Sequence, residues 1–188
     1  YGDVLFDSGK FEEALGEYEA SSRLAPGQPA TLTRIGNALL ELGRLDEAEA
    51  TYRGALERDP RHAPAAVGLA WLALARDRPG EAQAAAERAL AADGNPAEAH
   101  LCLGLALMRQ PGMLAQAAEA FEAALAAQPA GYHYQARAWL ALVSLAQGNP
   151  DAALKEGMAA VQMAPQSALA HGNLALVYFF SGQTLEAE

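Results

Sequence analysis

Residues 35–60 read Ile35-Gly36-Asn37-Ala38-Leu39-Leu40-Glu41-Leu42-Gly43-Arg44-Leu45-Asp46-Glu47-Ala48-Glu49-Ala50-Thr51-Tyr52-Arg53-Gly54-Ala55-Leu56-Glu57-Arg58-Asp59-Pro60. Two apolar segments at helical spacing flank Gly43, which stands where a left-handed residue past a helix end is least strained as glycine. Proline closes the stretch at Pro60, and proline also stands 34 residues earlier at Pro26. The same closing position returns at Pro129 and Pro165. A chain that repeats itself at that interval is a stack of helix pairs, since each pair leaves one face bare for its neighbour to cover.

The register extends in both directions. Residues 29–62 form one full repeat, and residues 1–28 form the rear of an earlier one, with Gly2, Gly9, Phe11, Ala14, Tyr18 and Pro26 in step. Residues 63–96 follow, with Ala70, Ala82 and Ala89 at the small positions. The unit 97–131 carries one extra residue in its Gln110-Pro111-Gly112-Met113 turn, and Tyr132-His133 is an insertion before 134–167. A partial unit, 168–188, ends the chain. Gly9, Gly43, Gly148 and Gly182 are expected just past helix ends. Asn95-Pro96 and Asn149-Pro150 read as an N-cap followed by proline at the first helical position. The small Gly36, Ala48 and Ala55 set, repeated as Gly104, Ala117 and Ala124, is expected where two helices cross closely. Leu39, Leu45, Tyr52 and Leu56 are expected to fill the space between them.

Gly36, Asn37, Gly43, Ala48, Tyr52, Ala55 and Pro60 stand where the tetratricopeptide repeat (TPR) has its small, aromatic and proline signatures, so the chain resembles that family over essentially its whole length. The resemblance implies an all-α fold: a right-handed α-solenoid, the TPR superhelix of antiparallel helix pairs, forming a single domain over 1–188. Arginine-rich usage points to a bacterial TPR protein. The chain opens in mid-repeat without methionine and shows no polar capping helix at either end, so it is expected to be part of a longer array.

Composition sets limits on partners. The 188 residues are 52% hydrophobic and carry a net charge of -10, which disfavours nucleic acid and anionic membranes. No run is apolar enough to span a bilayer, so no membrane insertion is expected. The single Cys102 excludes an internal disulfide framework and reads as a small packed thiol. His62, His100, His133 and His171 lie in different repeats without metal spacing. No phosphate loop, carboxylate pair or Ser/His/Asp pattern stands out, so no catalytic residue, metal or cofactor is assigned. Compartment is left open between bacterial cytoplasm and periplasm.

In the family that the chain resembles, the first helices of successive repeats line a concave groove that meets ligands. By that resemblance the groove comprises Thr33, Asn37, Val67, Trp71, Leu101, Leu105, Met108, Ala138, Leu142 and Leu176, with Leu40, Leu74, Gly172, Leu145 and Phe179 beside them. The surface is apolar apart from Thr33 and Asn37, as a contact site for protein would be. The same leucines also fit a seam between adjacent first helices. Carboxylate-binding members of the family carry lysine and a second asparagine where this chain has Thr33 and Gly68. The asparagine ladder of sugar-transferring members falls on Arg34, Gly68, Cys102, Trp139 and Asn173, and only Asn173 matches. Phe179 and Phe180 read as core for a further repeat.

The sequence thus predicts a non-enzymatic protein-interaction scaffold whose groove takes an apolar or amphipathic segment of a partner protein or peptide. The rival readings are a TPR arm of a larger transferase or of a bacterial envelope or polysaccharide-export assembly. Self-association through uncapped ends is a third.

Overall fold

The computed structural model describes the chain except for residues 93–95, 128–129 and 183–188. Among the described residues there are eleven α-helices, one 3-10 helix and no strand. They fall into two compact units, Tyr1–Asn95 and Pro96–Glu188. The first holds α1 (Gly2–Asp7), α2 (Phe11–Leu24), α3 (Pro29–Glu41), α4 (Leu45–Arg58), α5 (Ala63–Ala75) and α6 (Pro79–Ala91). The second holds α7 (Pro96–Met108), α8 (Leu114–Ala126), the 3-10 turn η1 (Ala130–Tyr132), α9 (His133–Ala146), α10 (Pro150–Met163) and α11 (Ala168–Ser181).

Glycine ends the first helix of a pair for a backbone reason. Gly9, Gly43, Gly148 and Gly182 adopt φ between 71° and 80°, a region that a Cβ makes costly. The lengthened 110–113 turn uses Gly112 in the same way, at φ 77°. The turn after α5 does it without glycine, placing Asp77 at φ 53°. The Tyr132-His133 insertion is partly helical: η1 ends in Tyr132, and α9 already begins at His133.

Asn149 does precede α10, but its side chain makes no capping bond. The cause is its backbone: ψ is 71° there, whereas Ser167 is extended at ψ 114° and accepts from Ala170 N–H at 3.3 Å. Only the extended form turns the side-chain oxygen toward the free N–H groups of the first turn. The corresponding reading of Asn95, and Pro129, lie outside the described residues.

Three of the pairs pack through a first-helix glycine facing an aromatic ring of the second helix. A Cβ on Gly36 would stand 2.5 Å from the ring of Tyr52, one on Gly2 2.6 Å from Tyr18, and one on Gly104 2.5 Å from Phe121. The small first-helix position therefore receives a side chain and not a neighbouring backbone. Tyr52, Phe121, Ala48, Ala55, Ala117 and Ala124 are completely buried, Leu39 and Leu56 nearly so, and Leu45 is half-buried. In 134–167 the tight glycine lies on the second helix and faces the following pair. The glycine is Gly157 on α10, and its missing Cβ would meet Leu174 of α11 at 2.9 Å.

Candidate functional site

First helices of successive pairs lie side by side within each unit, α3 on α5, α7 on α9 and α9 on α11. That arrangement decides which of the expected groove residues can meet a partner. Thr33, Val67, Leu101, Leu105 and Ala138 are buried in it. Asn37, Trp71, Met108 and Leu142 are half-buried, and Leu176 is exposed. The ten positions are therefore not one open surface. Five of the ten are buried and five keep some exposure, so both the seam and the groove expected from the sequence stay open for these positions.

In Tyr1–Asn95 the polar members are already bonded. Thr33 Oγ1 donates to the Pro29 carbonyl at 2.9 Å, which uses its only proton. His62 Nε2, 3.1 Å from the same oxygen, must then be the donor, and its Nδ1 lies 3.8 Å from the Asp59 carboxylate. Asn37 Oδ1 accepts from the Tyr52 hydroxyl at 2.7 Å, and one pair earlier Asp3 accepts from Tyr18 at 2.8 Å. Burial, together with the bond to Asp3, pushes the Tyr18 phenol well above its ordinary pKa. Arg34 pairs with Asp3 at 3.1 Å. Both belong to a polar cleft of about 260 Å³ that also draws on Glu17, Ser21 and Thr31.

In Pro96–Glu188, Leu142 packs beside a core of Ala141, Ala153 and Val177, and Ala138 packs with Ala160 and Ala170. The Ala138 carbonyl accepts from Asn173 Nδ2 at 2.9 Å, tying α11 to α9. α7 has Leu101, Leu105 and Leu107 buried alongside Cys102, so its outward face is largely filled.

Comparison with known proteins places this architecture. A sequence profile described as Tetratricopeptide repeat matches residues 1–63 and 112–168, and a second of the same description matches 46–105. The chain belongs to the tetratricopeptide repeat family. It is 31% identical over 179 residues to the Protein CTR9 homolog of Arabidopsis thaliana, covering 93% of this chain but only 16% of that protein. A thermophilic TPR protein from Thermus thermophilus superimposes with a TM-score of 0.80 at 22% identity, covering 95% of each chain. The Cut9–Hcn1 hetero-tetramer of the APC/C superimposes with a TM-score of 0.83 at 18% identity, over 94% of this chain and 35% of that one. The fold class is accordingly the all-α TPR solenoid of antiparallel helix pairs, a fold that serves in general as a protein–protein interaction scaffold.

Three of the remaining positions with chemical potential, Asn173, His133 and His171, are hydrogen-bonded within the fold. Asn173, the one match to an asparagine ladder, is buried in its bond to Ala138. His133 Nε2 donates to the Ala127 carbonyl at 3.0 Å and His171 Nε2 to the Pro165 carbonyl at 2.9 Å, since a carbonyl can only accept. Burial pulls the His100 imidazole below its ordinary pKa and raises the Cys102 thiol well above its own, leaving that thiol protonated and poorly nucleophilic. Among the described residues, no group of three or more His, Cys, Asp or Glu is placed to hold a metal ion. None of the described helices is long and apolar enough to cross a membrane.

One feature of the surface escaped the sequence reading. The Asp3–Arg34 pair makes the first cleft polar, although Arg34 spaced 31 residues from Asp3 gave no local signal. Phe180 is 68% exposed and Phe179 76%, beside Leu176 at 44%. They stand at i, i+3 and i+4 on α11, and Leu176 and Phe179 were already expected at or beside the groove.

Proposed function

We propose that this chain is a non-enzymatic scaffold that holds an apolar or amphipathic segment of a partner protein, as an extended strand or a helix, on the outward faces of its first helices. The observation that carries the reading is the chemistry of the accessible positions. Asn37, Trp71, Met108, Leu142 and Leu176 remain half-buried or exposed, and none bears a formal charge. Large side chains left open at the surface of a well-packed solenoid suit a protein contact. Tryptophan is the residue type most enriched where such contacts concentrate their energy. The net charge of -10 supports protein over nucleic acid as the ligand.

A contact of this kind depends little on ionic strength. Partner capture from the source cell, followed by affinity measurement with the purified partner, tests it. Binding is expected to persist between roughly 50 and 500 mM salt, and to weaken at least about tenfold in Trp71→Ala and in Leu142→Ala. A partner whose affinity collapses over that salt range, or that binds both variants as tightly as wild type, overturns the reading.

A further inference from the structure

Tyr1–Asn95 carries ten Lys and Arg residues. Lys10, Arg34, Arg44, Arg53, Arg76 and Arg78 pair with carboxylates. The other four, Arg23, Arg58, Arg61 and Arg88, are exposed and pair with no carboxylate among the described residues. Those four share one edge. Arg23, Arg58 and Arg88 stand in the last turns of α2, α4 and α6, and Arg61 lies between α4 and α5.

Contacts make the row continuous. The Arg58 guanidinium fills the space that a Cβ on Gly27 would need, over the turn that follows Arg23. One repeat later, Arg88 Nη2 donates to the Pro60 carbonyl at 3.1 Å, over the turn that holds Arg61. Both arginines thus lean back across equivalent turns of the preceding pair. A cation that only complemented its own helix end would have no reason to lie there. The edge is open inside the array as well: α4 packs on both α3 and α5, and Arg58 is exposed all the same.

We propose that this edge binds an acidic segment of a partner protein in extended form, with its carboxylates on the arginine row. Spacing favours an extended chain. Packed helices lie roughly 10 Å apart, so the row offers a guanidinium about every 10 Å, the length of about three extended residues. A segment with Asp or Glu at every third position matches it. Arg88 uses one N–H of its guanidinium on Pro60, which leaves donors for a carboxylate. The chain's own acids do not fill the row. Asp59 accepts from the Arg61 N–H at 3.0 Å and Glu87 from Gln83 Nε2 at 2.9 Å, so on this edge only Glu57 has no such bond among the described residues. Nucleic acid fits worse, because its dense charge would meet the chain's net charge of -10 on leaving the row. Exposed ion pairs contribute little each, so a Kd of roughly 10–500 µM at low salt is expected. The edge does not include Trp71, and the inference does not rest on the reading of the first-helix faces.

Fluorescence anisotropy tests it with the whole chain and a labelled peptide of about ten residues, glutamate at every third position and serine between. Binding is expected at about 50 mM salt and should weaken at least about tenfold at about 300 mM. Arg58→Gln combined with Arg88→Gln should weaken it at least about tenfold, with circular dichroism to show that the variant is folded. Arg44→Gln combined with Arg78→Gln removes the same charge from the opposite edge, at the starts of α4 and α6, and should leave binding unchanged. A peptide of the same composition with its glutamates consecutive should bind more weakly. The proposal is overturned by a wild type that does not bind up to about 1 mM peptide, or by an opposite-edge variant that loses as much as the arginine-row variant. It is equally overturned if the clustered peptide binds as tightly, or if an oligonucleotide of equal charge binds more tightly than the spaced peptide. A Trp71→Ala that loses its groove partner but keeps the peptide separates the two readings.

Discussion

The ring of Tyr52 on α4 occupies the space that a Cβ on Gly68 of α5 would need, and it does the same to Gly36 of α3. One aromatic side chain thus keys two helix pairs of Tyr1–Asn95 together. The ring is fully buried and its hydroxyl is bonded to Asn37, so it has nowhere to retreat. Gly68→Ala is therefore expected to destabilise by about 1–3 kcal/mol, as overpacking does. Gly54 supplies the contrast, since it lies inside α4 with nothing within 4 Å of its missing Cβ. Gly54→Ala should stabilise by about 0.5–1 kcal/mol through helix propensity. Urea denaturation of both variants decides the matter: a stabilised Gly68→Ala would show that propensity governs and the ring does not.

Asp77 takes the left-handed turn that Gly9, Gly43, Gly148 and Gly182 occupy in other pairs. At φ 53° an L-residue is strained, although aspartate tolerates the region better than most. Asp77→Gly should raise stability by about 0.5–1 kcal/mol, a rise in Tm of roughly 1–4 °C for a chain of this length. Asp77→Val, with a branched Cβ in the same backbone, should lower it. Thermal melts of the two variants in parallel test this, and a lowered Tm for the glycine variant would show that Asp77 contributes more than the strain it costs.

The period carried the fold because each recurring residue answers a local physical demand. Gly43 and Gly148 had to be glycine for φ, and Tyr52 had to be large because Gly36 faces it, so position alone revealed them. Accessibility was a different matter. α5 and α7 are apolar on nearly every face, with Val67, Leu72, Leu74, Leu101, Leu105 and Leu107 all buried, so no stripe in the sequence marks an outward side. Which leucine enters the seam between first helices depends on how closely those helices approach, and spacing along one chain does not encode that. Thr33 was legible as polar, but its engagement within the fold was not, since its partner His62 is 29 residues away.

Arg76, at the end of α5, binds both Asp46 and Glu49 on α4. Asp46 is almost fully exposed, so the pairing with the 20% exposed Glu49 matters more. The bond from Arg76 holds the Glu49 carboxyl below its ordinary value of 4.5. A depressed folded-state pKa means that the pair stabilises the fold above the unfolded value and that this contribution disappears as pH falls through the folded value. Arg76→Met should cost about 1–2 kcal/mol at pH 7, and the deficit should shrink below about pH 4. Urea midpoints of wild type and variant at pH 7 and pH 3 measure it. An equal gap at both values would mean that Arg76 acts through packing of its aliphatic stem.

Asn173 offers the sharpest test of a polar group that serves the fold. Its side chain is 6% exposed, and Nδ2 donates to the Ala138 carbonyl across two first helices. Asn173→Ala removes the bond and a little volume, and should cost about 1–2 kcal/mol. Asn173→Asp keeps the shape but aims a carboxylate at a carbonyl in a desolvated seam, so at pH 7 it should cost more, about 2–4 kcal/mol. Burial and the missing donor raise the folded-state pKa of the new acid. Protonation at low pH restores a donor to Ala138, so the variant should be most nearly normal below the unfolded aspartate value and lose stability as pH rises through the raised one. Thermal melts of the aspartate and alanine variants from pH 4 to pH 8 are the measurement. If the two run parallel, Asn173 faces water and becomes available to a ligand after all.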